Sequence, residues 1–377
     1  MKKMLLATLS MLIVTGLMVA CAPTVAPATA APATAAPATA APSFKMPDYP
    51  VPPAGTKMVD TTKWKKAPPW TIGYANAATS NSFRQFTVAA LYWIADQYPE
   101  LVKKIVTTNA NDSIPKQISD MEDLITQGVD VIIIASASYD ALVPAVDKAM
   151  AAGIPVIVLE RAIGGENYAT YIDVDVKTIA TTQAEAIVKG LNGTGNIVTF
   201  GVKPGIGTSV DQEAAIKAVL EKNPGIKQLA FDYGQVSLSV GKTLMEAWLQ
   251  SYPQIDGVLG WGGAEVRGAI EAAKEAGRYD QIKVWAAKDE MGYLQLIAKG
   301  LPGVGVIGYS DCTIDAFNAA VRILSGEPVP FYWRLPPQVI DSKNINDYVI
   351  ADAPATWFPS RMPAADVQKY LDIAAKK

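Results

Sequence analysis

From Trp70 onward, ten short apolar runs alternate with amphipathic stretches, and this alternation narrows the folds open to the chain more than any other feature. The runs cover residues 71–75, 105–108, 130–135, 155–159 and 169–172, then 196–201, 228–232, 257–260, 283–287 and 304–309. Several are continuous in Val and Ile, as in Val131-Ile132-Ile133-Ile134, the pattern of strands buried on both faces. Between them apolar residues recur at three and four: Ile118, Met121 and Ile125 within 114–127, and Leu142, Val146 and Met150 within 140–152. Stretches 214–220 and 243–249 repeat the theme. Gly128 and Gly153 follow two of these stretches where a helix C-terminus needs a left-handed cap. Strands alternating with helices of about 10–15 residues specify βαβ units and a parallel α/β sheet. The array divides into two series, 70 to about 173 and 174 to about 308. Two lobes leave a cleft, and open α/β sheets bind ligands beyond the carboxyl ends of their strands. Candidate ligand residues therefore lie just after the runs.

The N-terminus has a different logic. Lys2 and Lys3 precede an apolar run from Met4 to Ala20 that ends Met18-Val19-Ala20-Cys21. A basic start, an apolar stretch and small residues before a cut describe a secretory signal, and the Cys after Val19-Ala20 makes it a lipoprotein signal. Cleavage would remove residues 1–20 and leave Cys21 lipidated, although the usual pattern has Leu where this chain has Met18. The run is at the short limit for a membrane span and lacks a stop-transfer flank. Residues 26–40 repeat Ala-Pro-Ala-Thr-Ala three times. With no charge and no large side chain, nothing there offsets the entropy of folding, and regular Pro favours an extended spacer. Residues 21–66 are thus expected to form a tether and are set aside from fold reasoning.

About 310 residues remain, enough for one large or two medium domains. Net charge is −3 with no long basic run, which leaves nucleic-acid binding without an electrostatic footprint. The chain has no histidine. That removes Ser-His-Asp and Cys-His catalysis and the common zinc sites. No Asp-rich loop has calcium-binding spacing, and no metal or cofactor is expected. If Cys21, one of its 2 cysteines, carries lipid, no intramolecular disulfide forms and Cys312 is expected as a small buried core residue.

After the first run comes Asn76-Ala77-Ala78-Thr79-Ser80-Asn81-Ser82-Phe83-Arg84, opening a helix with Ser80 or Asn81 as cap. A ring beside a guanidinium suits a sugar, whose C–H faces lie on the ring and whose hydroxyls accept from the cation. Equally, Phe83 could be core and Arg84 solvated. Glu160-Arg161 after the fourth run could grip vicinal hydroxyls, one accepting and one donating, or form a surface ion pair. Gly205-Ile206-Gly207-Thr208-Ser209 fits neither nucleotide motif and reads as a loop at the cleft edge. Later run ends carry Trp261-Gly262-Gly263, Lys288-Asp289-Glu290 and Tyr309-Ser310-Asp311. Trp261 and Tyr309 suit stacking platforms or core packing. Asp289 and Glu290 are adjacent, and adjacent carboxylates rarely face one substrate, which argues against glycosidase chemistry.

As a set, in order, these segments resemble the ribose- and galactose-type periplasmic solute-binding proteins. Ile72-Gly73-Tyr74 with Asn81-Ser82-Phe83-Arg84 looks like the family's first strand and ligand loop. Gln117-Ile118, Leu124-Ile125, Gly128-Val129-Asp130 and Ile132-Ile133-Ile134 look like its second helix and third strand. Gly153-Ile154-Pro155-Val156-Ile157 followed by Glu160-Arg161 looks like its fourth strand, where Asp-Arg is usual, and Gly207-Thr208-Ser209 matches the loop opening the second lobe's site. The resemblance spans 70 to about 330. It implies two Rossmann-like lobes with parallel sheets joined by a three-segment hinge: 67–173 plus about 309–335 as the N-terminal lobe and 174–308 as the C-terminal lobe. Residues 336–377 would pack near the hinge. It further implies a non-enzymatic receptor, anchored to the cell membrane by lipid and facing the periplasm or exterior. That receptor would capture a monosaccharide or sugar alcohol as a monomer and deliver it to the permease and ATPase of an ABC importer. A sensor for a sugar-like signal or nucleoside, feeding chemotaxis or a signalling kinase, is the alternative. No helix-turn-helix precedes the domain, against a repressor. The residues carried over are Asn81, Phe83, Arg84, Glu160, Arg161, Asp175, Gln212, Trp261, Asp289 and Tyr309. Several depart from the family: Gln212 stands where an Arg is usual, Gly262-Gly263 where Asn-Asp is, and the late Asp falls between Ala287 and Asp289. Fewer polar partners and extra rings in the second lobe suggest a ligand differing from ribose.

Overall fold

In the computed structural model, residues 55–377 are described; the signal-type leader, Cys21 and the Ala-Pro-Thr repeat lie outside them. All ten apolar runs fall on strands. In the first lobe these are β2 (Trp70–Asn76), β3 (Val102–Asn109), β4 (Val131–Ala135), β5 (Val156–Leu159) and β6 (Thr170–Asp173). The second has β7 (Gly195–Gly201), β8 (Ile226–Tyr233), β9 (Gly257–Leu259), β10 (Val284–Lys288) and β11 (Gly303–Val306). Four short strands had no periodic signal: β1 (Met58–Val59), β12 (Val329–Pro330), β13 (Tyr332–Arg334) and β14 (Val339–Ile340). The sheets run β3-β2-β4-β5-β6-β13 and β8-β7-β9-β10-β11-β14, the same doubly wound order twice. Every pairing within them is parallel except β14 on β11.

Helices cover both sheets: α1 (Ser82–Asp96), α2 (Ile114–Thr126), α3 (Val143–Ala151), α4 (Val176–Gly190), α5 (Gly207–Lys222), α6 (Leu238–Ser251), α7 (Gly263–Glu275), α8 (Met291–Ala298), α9 (Thr313–Ser325) and α10 (Ala364–Ala374). Their ends follow capping chemistry. Asn81 accepts from the Arg84 N–H at 2.9 Å to start α1, and Ser113 with Pro115 starts α2. Gly128 and Gly153 adopt φ of +66° and +79° behind α2 and α3. One core centres on Ile132, Ile134, Val156 and Val158, the other on Val198, Val258, Trp285 and Leu294.

The chain crosses between lobes four times, after β6, after β11, between β13 and β14, and again between β14 and α10. Two boundaries differ from the sequence reading. Residues set aside as tether take part in the fold: β1 pairs antiparallel with β12, Trp64 is buried, and Lys66 N–H donates to Leu324 O at 2.8 Å. The C-terminal residues also do more than pack at a hinge. β14 extends the second sheet, and Gln295 Nε2 donates to the carbonyls of Ile350, Ala351 and Ala353. The strand then passes to the first lobe, where Arg361 pairs with Asp311 and Asp315 at 3.0 and 2.6 Å and α10 lies on α1.

Candidate functional site

The carboxyl ends of both sheets face one cleft. Its first-lobe wall is Asn81, Phe83 and Arg84 after β2 with Glu160 and Arg161 after β5. The second-lobe wall is Val202, Ile206 and Thr208 after β7, Val236 after β8, Trp261 and Gly262 after β9, and Lys288 ending β10. Phe358, from the C-terminal strap, closes one side. The space left is about 30 Å³ open to the centre of a water-sized sphere, room for a water or two rather than a sugar ring. A further space of about 70 Å³ adjoins it past Arg84 and Arg161, bounded by Asp112 and Lys203.

Arg84 and Glu160 form an ion pair at the base, both buried. Arg161 lies 3.7 Å from the same carboxylate oxygen and 3.9 Å from Asp112, and donates to Ser136 O at 3.3 Å. Burial is the strongest influence on Glu160 and pushes its carboxyl up, but Arg84, Arg161 and Lys288 together hold it below the ordinary range. Arg161 is pushed down to about 10, first by burial and then by Arg84. Arg84 Nη1 and Arg161 Nε have no hydrogen-bond partner. Both lobes place strained backbone at this wall: Glu160 has φ of +60° and the β-branched Val236 +53°, a region non-glycine residues rarely occupy.

On the opposite side Lys288 Nζ sits 4.2 Å from the Phe83 ring centre and 4.8 Å from that of Trp261. Burial lowers its pKa. Phe83 meets Phe358 edge-on at 5.9 Å, and Phe358 meets Phe86 at 5.4 Å. Gly262 presents only backbone, its N–H held by Glu265 Oε1 at 2.6 Å. Across the cleft mouth Lys203 pairs with Asp112 at 3.0 Å and Ser82 donates to Glu290 at 3.5 Å. Among the described residues no group of three or more His, Cys, Asp or Glu is placed to hold a metal ion.

The structure thus brings Asn81, Phe83, Arg84, Glu160, Arg161 and Trp261 together, and leaves four other expected residues off the cavity wall. Asp175 caps α4 at the first crossing and pairs with Arg334 at 3.5 Å. Gln212 is buried under β7, donating to Phe200 O at 3.0 Å. Asp289 accepts the Gly308 N–H at 3.0 Å, and Tyr309 donates to Pro336 O at the hinge. Lys288, the last residue of β10, lines the cleft, whereas Asp289, one residue past the strand, is held by the Gly308 N–H. Lys288 and Thr208 stood in segments already marked as run ends. Phe358 had no local signal, because a strap 54 residues beyond Val304 is placed by tertiary contacts.

Comparison with known proteins agrees with this geometry. The periplasmic binding protein domain model matches residues 72–328. The xylitol-binding protein of Mycolicibacterium smegmatis is 33% identical over 176 residues, 46% of this chain and 50% of that protein, so the match spans about half the relative's length. The ribose import binding protein of Bacillus subtilis is 26% identical over 211 residues, 55% of this chain and 67% of that one. A solved Mycobacterium smegmatis structure in complex with β-D-fucofuranose has a TM-score of 0.69 at 26% identity, covering 81% of this chain and 98% of that one. These relatives are solute-binding proteins rather than enzymes. With the family model covering most of the described residues and both lobes wound alike around one cleft, the chain belongs to the periplasmic binding protein family.

Proposed function

We propose that this chain is an extracytoplasmic solute-binding lipoprotein that captures a small sugar-like molecule, a monosaccharide or sugar alcohol or a derivative of one, and delivers it to an ABC importer. The observation that supports this best is the buried Arg84-Glu160-Arg161 cluster flanked by the Phe83 and Trp261 rings. A carboxylate that accepts and guanidinium groups that donate can hold adjacent hydroxyls, while rings cover the C–H faces. The relatives named for xylitol and ribose point to the same class of ligand. A thermal-shift screen of residues 45–377, stripped of co-purified ligand, should give a strong hit among pentoses, hexoses, polyols or sugar acids. A hit only among nucleosides or amino acids would sink the sugar reading. Arg84→Ala should weaken the hit at least about 100-fold, because it leaves Glu160 buried without its partner.

The anchor rests on Lys2-Lys3, the apolar run and Cys21. Cys21→Ser should move the protein from the detergent phase to the aqueous phase. The receptor acts as a monomer, its lobe faces free for the permease, and size-exclusion chromatography with light scattering checks this.

A further inference from the structure

Lys288 is a buried cation whose nearest opposing charges, Asp289 and Glu160, act on it without forming an ion pair. Its stem crosses Gly308 so closely that a Cβ there would lie 1.8 Å from Lys288 Cε, and its ammonium sits between the Phe83 and Trp261 rings. It is 3% exposed and faces those two rings. The cavity wall therefore holds three cations, Arg84, Arg161 and Lys288, against one carboxylate, Glu160. That carboxylate is already engaged by Arg84 and approached by Arg161. The neighbouring acids have other partners: Asp289, which also favours the Lys288 ammonium, accepts the Gly308 N–H, Glu265 accepts the Gly262 N–H, Glu290 pairs with Arg267 at 2.9 Å, and Asp112 pairs with Lys203 and lies 3.9 Å from Arg161. Arg84 Nη1 and Arg161 Nε also lack hydrogen-bond partners. Burying an ammonium away from direct ion pairs is unfavourable, and ring faces offset only part of that cost. A neutral polyol could accept hydrogen bonds here but would leave the charge in place. A ligand carboxylate would neutralise it.

We propose that the ligand is a sugar acid: a polyhydroxylated chain or ring bearing one carboxylate, with Lys288 and Arg84 taking the carboxylate and Glu160, Arg161 and Asn81 the hydroxyls. This rests on the sugar-binding reading and narrows it. Lys288 is then the residue that separates acids from neutral sugars.

The test is calorimetry on the full chain, refolded free of ligand, with pairs of the same skeleton in which one CH2OH is replaced by a carboxylate: galactose with galacturonate, glucose with glucuronate, galactitol with galactonate, glucitol with gluconate, arabinitol with arabinonate. One acid should bind at least tenfold more tightly than its neutral partner, and the difference should shrink as salt rises. Lys288→Met, which keeps an apolar stem between the rings, should erase that difference. The wild-type comparison stands alone if this variant misfolds. A neutral sugar binding as tightly as its acid overturns the proposal and leaves the sugar reading intact. Failure of every acid overturns it as well; if every neutral sugar also fails, the sugar reading falls with it.

Discussion

Glu265 shows how one residue can set the second lobe's pH response. Its Oε1 holds the Gly262 N–H that forms the cleft wall, while Oε2 is buried without a partner. Burial pushes its carboxyl from 4.5 up to about 8. The folded state therefore favours the protonated acid more than the unfolded chain does. The stability this contributes is full below about 4.5 and lost as pH rises through about 8, with a slope of at most about 1.4 kcal/mol per pH unit. Glu265→Gln keeps an acceptor for Gly262 and removes the titration. Melting curves from pH 5 to 8.5 should converge with wild type at the acid end and show the variant more stable at the alkaline end. A constant offset across the range would show that Glu265 does not titrate there. Asp289, raised to about 6 mainly by burial, adds a smaller slope of the same sign at lower pH.

Among elements, the α6–α7 pair depends on two glycines. A Cβ on Gly268 would lie 2.0 Å from Leu238 O, and one on Gly241 2.3 Å from Glu265 O. No rotamer relieves a clash between Cβ and backbone, so the helices would have to separate. Gly268→Ala should cost about 2–3 kcal/mol despite alanine's higher helix propensity, read from urea unfolding. Separation would also shift Glu265 and, through it, Gly262 at the cleft. The C-terminal strap is the second such element. Phe358→Ala should lose about 3 kcal/mol of stability and weaken ligand binding, since the ring packs on Phe83 and Phe86 and also lines the cavity. Loss of stability with unchanged affinity would restrict Phe358 to packing.

For the whole molecule the question is how the lobes are held closed. Lys203 and Asp112 pair across the cleft mouth at 3.0 Å, partly exposed, so the pair contributes less than about 1 kcal/mol. That suits a receptor that must open. Lys203→Met should raise the ligand-free radius of gyration in small-angle scattering and reduce its dependence on salt. No change in either would mean that closure rests on the remaining contacts, such as Ser82 to Glu290.

Strand and helix placement was legible because it depends on local periodicity: the Val131-Ile132-Ile133-Ile134 run can be buried on both faces only in a covered parallel sheet, and Gly128 and Gly153 mark where helices must turn. The first-lobe half of the site was legible for a similar reason, since Asn81, Phe83, Arg84, Glu160 and Arg161 follow directly on strands whose ends the fold class aims at the cleft. Tertiary structure decided the rest. That Lys288 lines the cleft while Asp289 is held by the Gly308 N–H depends on a contact 19 residues along the chain, which β10 by itself does not specify. Asp175 and Tyr309 lie at the hinge, each with left-handed backbone, where Asp175 caps α4 and pairs with Arg334 and Tyr309 donates to Pro336 O. Phe358 reached the cavity only because a non-periodic strap is pinned by α8 on one side and by Asp311 and Asp315 on the other. Long-range contacts of that kind leave no period in a sequence, and they complete this site.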